Sequence, residues 1–392
     1  MNDSVDLVCR VRSACVRLVG AVVLVWMAGA VSAAAGERSP SAWFWQFLGA
    51  PSGVTGVEQI FVDPVDDGIW YVTTSTSGLL ITRDGGQSWE AHLSGQVSTF
   101  VIHPGNPSVI YAAIGSTVYW SLNKGASWMV RNVFPDTLPG TPFDTDCGVD
   151  SILVRAADGT EFVGLGCTLH SSRIYKSLLA GAWDIVFESP IGYRIWDMVE
   201  DPVSGAIMFS TEDASHAANA VVMRSTDGGD TWLPIPELTG GPASGHGLEL
   251  AFNPTNRRLF FLEESSDLNF SDDGGATWRD GIYVDFGLTV LVDPACPNRV
   301  FGGEFVRGVK VGGVYVSETG GLSFTFHGPA YNTISGLALT DGGNTLLAVA
   351  RGVGIWEQDL TGLLPCSADL PFFADGFEAE DTRNWSGTVG GP

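Results

Sequence analysis

Five stretches of this chain carry a polar residue five positions before a proline. The residues are Gln59, Thr99, Asp197, Glu249 and Thr289, ahead of Pro64, Pro104, Pro202, Pro254 and Pro294. The next residue is apolar each time: Ile60, Phe100, Met198, Leu250 and Val290. In a strand, successive side chains point to opposite faces, so the polar set would share one face and the apolar set the other. Two further stretches, near Ser151 to Ala156 and Ser335 to Thr340, lack the proline; there Ser151 and Ser335 take the corresponding place. Asp197 and Glu249 stand in consecutive stretches. If the polar faces converge on one cavity, two carboxyl groups would face it, which is the minimum for acid/base cleavage of a glycosidic bond. The plainer reading, and the preferred one, is that a water-filled channel needs a polar lining. His246 lies just before the strand of Glu249 and, as a lone histidine, reads as a loop hydrogen-bonding residue.

The elements that would position these residues recur along the chain. Ser225-Thr226-Asp227-Gly228-Gly229-Asp230-Thr231-Trp232 has close copies at Thr82–Trp89 and Ser271–Trp278. Weaker copies are Ser121–Trp128, Ser317–Phe324 and the shortened Ser177–Trp183. Starts at 225, 271 and 317 give a period of about 46 residues, the length of a propeller blade. Within each copy the hydroxyl and the Asp carboxylate can bond the backbone of their own turn, the glycines permit positive φ, and the Trp covers the turn. The stretches ending in Asp-Pro or a similar turn read as the first strand of each blade; proline fits at a strand end because it cannot donate to the ladder. Ser41–Phe47 looks like a strand that follows a copy, but none precedes it; Gly352–Trp356 looks like a strand before a copy, but none follows. The N-terminal strand is therefore expected to complete the last blade. The 322 residues from Ser41 to Gly362 make seven blades, open by one because the third is irregular. In a propeller the first strand of each blade lines the central channel, which makes Gln59, Thr99, Ser151, Asp197, Glu249, Thr289 and Ser335 the expected ring of channel residues.

The copies resemble the Asp-box, or BNR repeat, of sialidases, sortilin-type receptors, xyloglucan hydrolases and photosystem-assembly propellers. The resemblance implies that the box joins the two outer strands of a blade, away from the channel, and that Asp84, Asp227 and Asp273 are structural. It does not choose between enzyme and binding protein, because both kinds carry the box. Sialidases resemble one another in three arginines, a Tyr–Glu pair and an Asp acid, with the first arginine in an R-I-P motif. The nearest match, Tyr193-Arg194-Ile195-Trp196, lacks the proline and falls in blade four, so Arg194 reads as a blade-edge salt bridge. Xyloglucan hydrolases carry two such propellers, and this chain has one.

The chain has 392 residues, 50 of them Gly, and a formal net charge of −24. That acidity argues against a nucleic-acid ligand and against attraction to anionic membranes. Arg10, Arg12 and Arg17, the apolar run Leu18–Val31 and the small residues Val31-Ser32-Ala33 read as a signal peptide over residues 1–35, with no strong membrane association once it is cleaved. Cys147, Cys167, Cys296 and Cys366 would remain, an even number in an exported chain. Of three possible pairings, Cys147–Cys167 within one blade and Cys296–Cys366, pinning the tail, are favoured. No zinc spacing is present, and no metal or other cofactor is expected. Trp43, Trp45, Trp70, Trp120, Trp196 and Trp356 read mainly as blade-packing residues. Residues 363–392 form a tail in which Phe372–Glu378 and Asp381–Ser386 resemble a short C-terminal segment of exported Gram-negative proteins.

The expectation is an all-β, seven-bladed propeller over residues 41–362, exported from a Gram-negative bacterium. Its expected role is non-catalytic binding of a protein or glycan. The alternative is a glycoside hydrolase or lyase using Asp197 and Glu249.

Overall fold

The computed structural model describes residues between 43 and 361, apart from 135–146, 214–220, 236–246, 284–288, 305–311 and a few shorter breaks. The signal segment, His246, Cys366 and the tail lie outside the described residues. The strands form seven antiparallel sheets of four, and these are the seven blades of a propeller. Six blades take their strands consecutively. In the seventh, Ile334–Thr340, Thr345–Ala350 and Gly354–Asp359 are completed on the outside by Gln46–Gly49 from the other end of the chain. The N-terminal strand thus closes the ring, as the unmatched half-repeats require. Its paired part begins at Gln46, later than expected, because the preceding residues turn onto blade 6. There Trp45 Nε1 donates to the carbonyl of His327 at 2.9 Å, and the Trp43 ring lies 4.3 Å from that of His327.

The apolar core is divided into seven clusters, one at each junction between neighbouring blades. At the closing junction Val57, Ile60, Val72 and Leu80 of blade 1 pack on Ala338, Leu347, Val349 and Ile355 of blade 7. Every blade is covered on both faces, which explains strands such as Trp70–Thr74 that are buried at every position.

The turns at the far end of the innermost strands join the blades a second time. Asp63 pairs with Lys124 at 2.9 Å, Arg155 with Glu200 at 2.7 Å, and Asp201 with Arg257. Asn253 Nδ2 donates to Pro297 O at 3.0 Å, Arg299 Nη2 to Gly343 O at 3.0 Å, and Thr340 Oγ1 to Asp67 O at 3.3 Å. Six of the seven junctions carry such a link. The turns that end the innermost strands, with or without the proline, thus supply most of these links between blades.

Candidate functional site: the channel wall

The innermost strands do not run in simple register. In blades 1, 3, 4, 5 and 7 an extra residue is bulged out: Glu58, Asp150, Trp196, Leu248 and Ser335. Pairing resumes at Gln59, Ser151, Asp197, Glu249 and Gly336. The equivalent of Gln59 in blade 7 is thus Gly336, and Ser335 takes the bulge place, like Glu58. Blade 7 has no proline to fix the alignment, and a bulge moves the alternation by one residue. The apolar partners Ile60, Phe100, Met198, Leu250 and Val290 are all buried between blades. The ring positions themselves vary. Gln59 is exposed, Thr99, Asp197 and Glu249 are half-buried, and Ser151 and Thr289 are buried.

Asp197 and Glu249 reach sideways along the wall. Asp197 Oδ2 accepts from the backbone N–H of Leu250 in blade 5 at 2.9 Å, while Oδ1 accepts from Met198 N–H at 2.8 Å. Glu249 repeats the device one blade on, with Oε2 accepting from Val290 N–H at 3.2 Å and Oε1 from the Thr289 hydroxyl at 3.4 Å. Smaller residues make similar links elsewhere. Ser98 Oγ donates to Val149 O at 2.6 Å, and Ser335 Oγ donates to Glu58 O. Burial pushes the Asp197 carboxyl up to about 7 against these backbone donors. It pushes Glu249 up to about 8, and the charge of Asp197 adds to that rise. A carboxyl that holds its proton near neutrality can act as a general acid. Here, however, all four oxygens already accept from the protein.

Arg194 forms the inter-blade ion pair expected of it. Its Nε donates to Asp150 Oδ2 of blade 3 at 3.0 Å, and its guanidinium lies 4.7 Å from the centre of the Trp196 ring. Asp150 is almost fully enclosed, and burial raises its carboxyl despite the arginine. Sequence reasoning missed Asp150; its only signal was its place immediately before Ser151, where a bulge takes it out of the strand alternation.

The box residues sit in the turns between the third and fourth strands. Thr82 Oγ1 donates to Asp84 at 2.7 Å and accepts from Gly86 N–H at 2.9 Å, while Asp84 accepts from Ser88 N–H at 2.8 Å. The same three bonds recur around Asp227 and Asp273. Asn123 and Thr319 take the acid's place in blades 2 and 6. Cys147 and Cys167 are disulfide-bonded across the first two strands of blade 3. Cys296 is disulfide-bonded as well, and its partner lies outside the described residues. Among the described residues, no three His, Cys, Asp or Glu side chains are grouped to hold a metal ion.

The fold defines a seven-bladed β-propeller, and solved structures of that class are similar to it. A GH74 xyloglucanase from Xanthomonas campestris superimposes with a TM-score of 0.60 at 19% identity, covering 82% of this chain and 54% of that one. YCF48 bound to D1 peptide gives 0.56 at 17%, covering 84% and 99%. YCF48 from Cyanidioschyzon merolae gives 0.54 at 15%, covering 80% and 98%. The chain spans about half the length of the xyloglucanase and nearly all of YCF48. At these identities the likeness is one of fold. No protein-family model and no curated protein matches the chain.

Proposed function

We propose that the chain is a non-catalytic binding or scaffolding module, exported from a Gram-negative cell, that takes a protein or glycan partner outside the cytoplasm. One observation carries this reading: the two carboxylates best placed for catalysis have their oxygens committed to N–H and O–H donors along the channel wall. These bonds give both carboxylates a structural task, fastening each innermost strand to the next along the channel wall. The Cys147–Cys167 disulfide supports an oxidising compartment, in line with the signal-like segment.

A second reading, a glycoside hydrolase, is favoured by the raised carboxyls of Asp197 and Glu249 on adjacent blades. Sugar release from a broad polysaccharide panel, measured on the mature chain from about Gly36, separates the two. The binding reading expects no release above that of Asp197→Asn and Glu249→Gln. Release that either substitution abolishes would make the chain an enzyme and place its site in the channel.

A further inference from the structure

At the junction where the ring closes, the second box glycine, Gly86, has different nearest neighbours from its counterparts in blades 4, 5 and 6. In blades 4, 5 and 6 the second box glycine lies under a side chain from the preceding blade. A Cβ on Gly229 would meet Phe162, one on Gly275 would meet Met208, and one on Gly321 would meet Phe260. Each of these three is the second residue of its blade's second strand. At the seam the residue in the same register is Leu347 of blade 7, which is buried in the cluster that also holds Trp70. The three atoms nearest a Cβ on Gly86 all belong instead to Trp70, of Gly86's own blade. A cleft of about 440 Å³ lies beside Gly86 at this junction.

Its walls are Leu48 and Ile355 from blade 7 and Trp70, Gln87, Ser88 and Trp89 from blade 1. The two indoles stand 6.4 Å apart. Both turn their N–H groups into the protein, Trp70 to Asp67 O at 2.7 Å and Trp89 to Gly86 O at 3.1 Å. The cleft therefore meets the indole ring carbons, with polar groups such as Gln87 and Ser88 beside them. Its volume suits a large side chain or small ligand. Beside it runs Gln46–Gly49, the outermost strand of its sheet, whose outer backbone edge has no strand partner among the described residues. On that strand Phe47 is 47% and Leu48 38% exposed. Carboxylates flank the site. Asp67 precedes Trp70, Glu90 follows Trp89, and Asp84, bonded to Ser88, is held down to about 2 by those bonds and so ionised. The nearby cation Arg83 is turned to blade 2, where its Nη2 donates to Lys124 O at 3.0 Å.

We propose that this seam cleft receives an apolar or aromatic side chain from an extended basic peptide of a protein partner, whose backbone pairs along the free edge of Gln46–Gly49. The inference rests on the binding reading above and names its site and partner class. The free strand edge favours a peptide over a glycan, since β-augmentation needs main-chain donors and acceptors on both sides. The local carboxylates and the net charge of −24 favour a basic peptide and disfavour a second copy of this chain.

The test uses decapeptides that alternate Lys with Phe or Leu, titrated into the mature chain by calorimetry and tryptophan fluorescence. Leu48→Arg puts a like charge at the cleft mouth. Leu178→Arg makes the same change at an exposed residue of blade 3 and serves as the control. The expected result is binding that weakens with salt, with Kd raised at least tenfold by Leu48→Arg and unchanged by Leu178→Arg, both variants melting like the parent. An unchanged Kd in Leu48→Arg, an equal loss in Leu178→Arg, or no binding by any of the peptides would overturn the proposal. Neutral oligosaccharides that bind in place of the peptides, and lose binding in Leu48→Arg, would also overturn it. The sugar-release assay reads the binding hypothesis independently, so failure of the cleft and failure of that hypothesis are separable.

Discussion

Ser271 shows which atom of the repeated turn matters most for stability. Its hydroxyl is fully buried and accepts from the Gly275 N–H at 2.8 Å, while the carboxylate of Asp273 bonds more exposed groups. Ser271→Ala leaves a buried backbone donor unpaired, which costs about 1–3 kcal/mol. Asp273→Asn should cost less, because Asn123 already fills that place in blade 2 with the same bonds. Urea unfolding of both variants checks the order, and a larger loss in Asp273→Asn would contradict it. The turn chemistry was legible in the sequence because every partner lies within four residues. The role of Asp197 was not. Its bonding partner, Leu250, is 53 residues away, so only the folded ring reveals that the carboxylate holds a neighbouring blade.

Blade 3 was the irregular element in the sequence, and the structure shows what supports it. Among the described residues its shortened box gives Ser177 one local bond, to Gly181 O at 3.1 Å. Arg131, from the outer strand of blade 2, crosses the junction and donates to Ser177 Oγ at 3.0 Å. The same guanidinium pairs with buried Glu161 at 2.5 Å, and Tyr111 donates to Glu161 at 2.7 Å. The Trp183 ring lies 4.9 Å from the guanidinium. Sequence offered no hint of this network, because its members come from separate blades and match no spacing rule. The seven-blade count survived the irregularity, since a blade is defined by its four strands and not by its turn. Breaking a buried pair strands the remaining charge. Arg131→Ala is thus expected to destabilise the protein by about 3–5 kcal/mol, read from the urea midpoint. A loss below about 1 kcal/mol, the range of solvated surface pairs, would mean that water replaces the arginine.

At the scale of the whole ring, two sets of carboxyls titrate in opposite senses, and together they set how stability depends on pH. Burial opposes ionisation of Asp273, but hydrogen bonds from Thr277, Ser271 and the backbone outweigh it and bring the group down to about 2. Asp84, held by Ser88 and Thr82, behaves alike. Folded values below the unfolded ones, near 4, give stability that is present above pH 4 and lost as pH falls toward 2. Asp197 and Glu249 are raised to about 7 and about 8, which reverses the sign. Their contribution is whole below pH 4 and is lost as pH rises through 7 and 8. Repulsion within a chain of net charge −24 acts in the same direction. The unfolding free energy is therefore expected to peak between about pH 4 and 6 and to decline toward pH 9. Asp197→Asn combined with Glu249→Gln separates the two causes. An amide cannot supply both acceptors that each carboxylate supplies, so the double variant starts from a lower stability, and the slope is the quantity to read. A flattened decline between pH 6 and 9 would show that the channel carboxyls, which tie blades 4, 5 and 6 together, carry the alkaline loss. A parent-like slope would assign that loss to general charge repulsion instead.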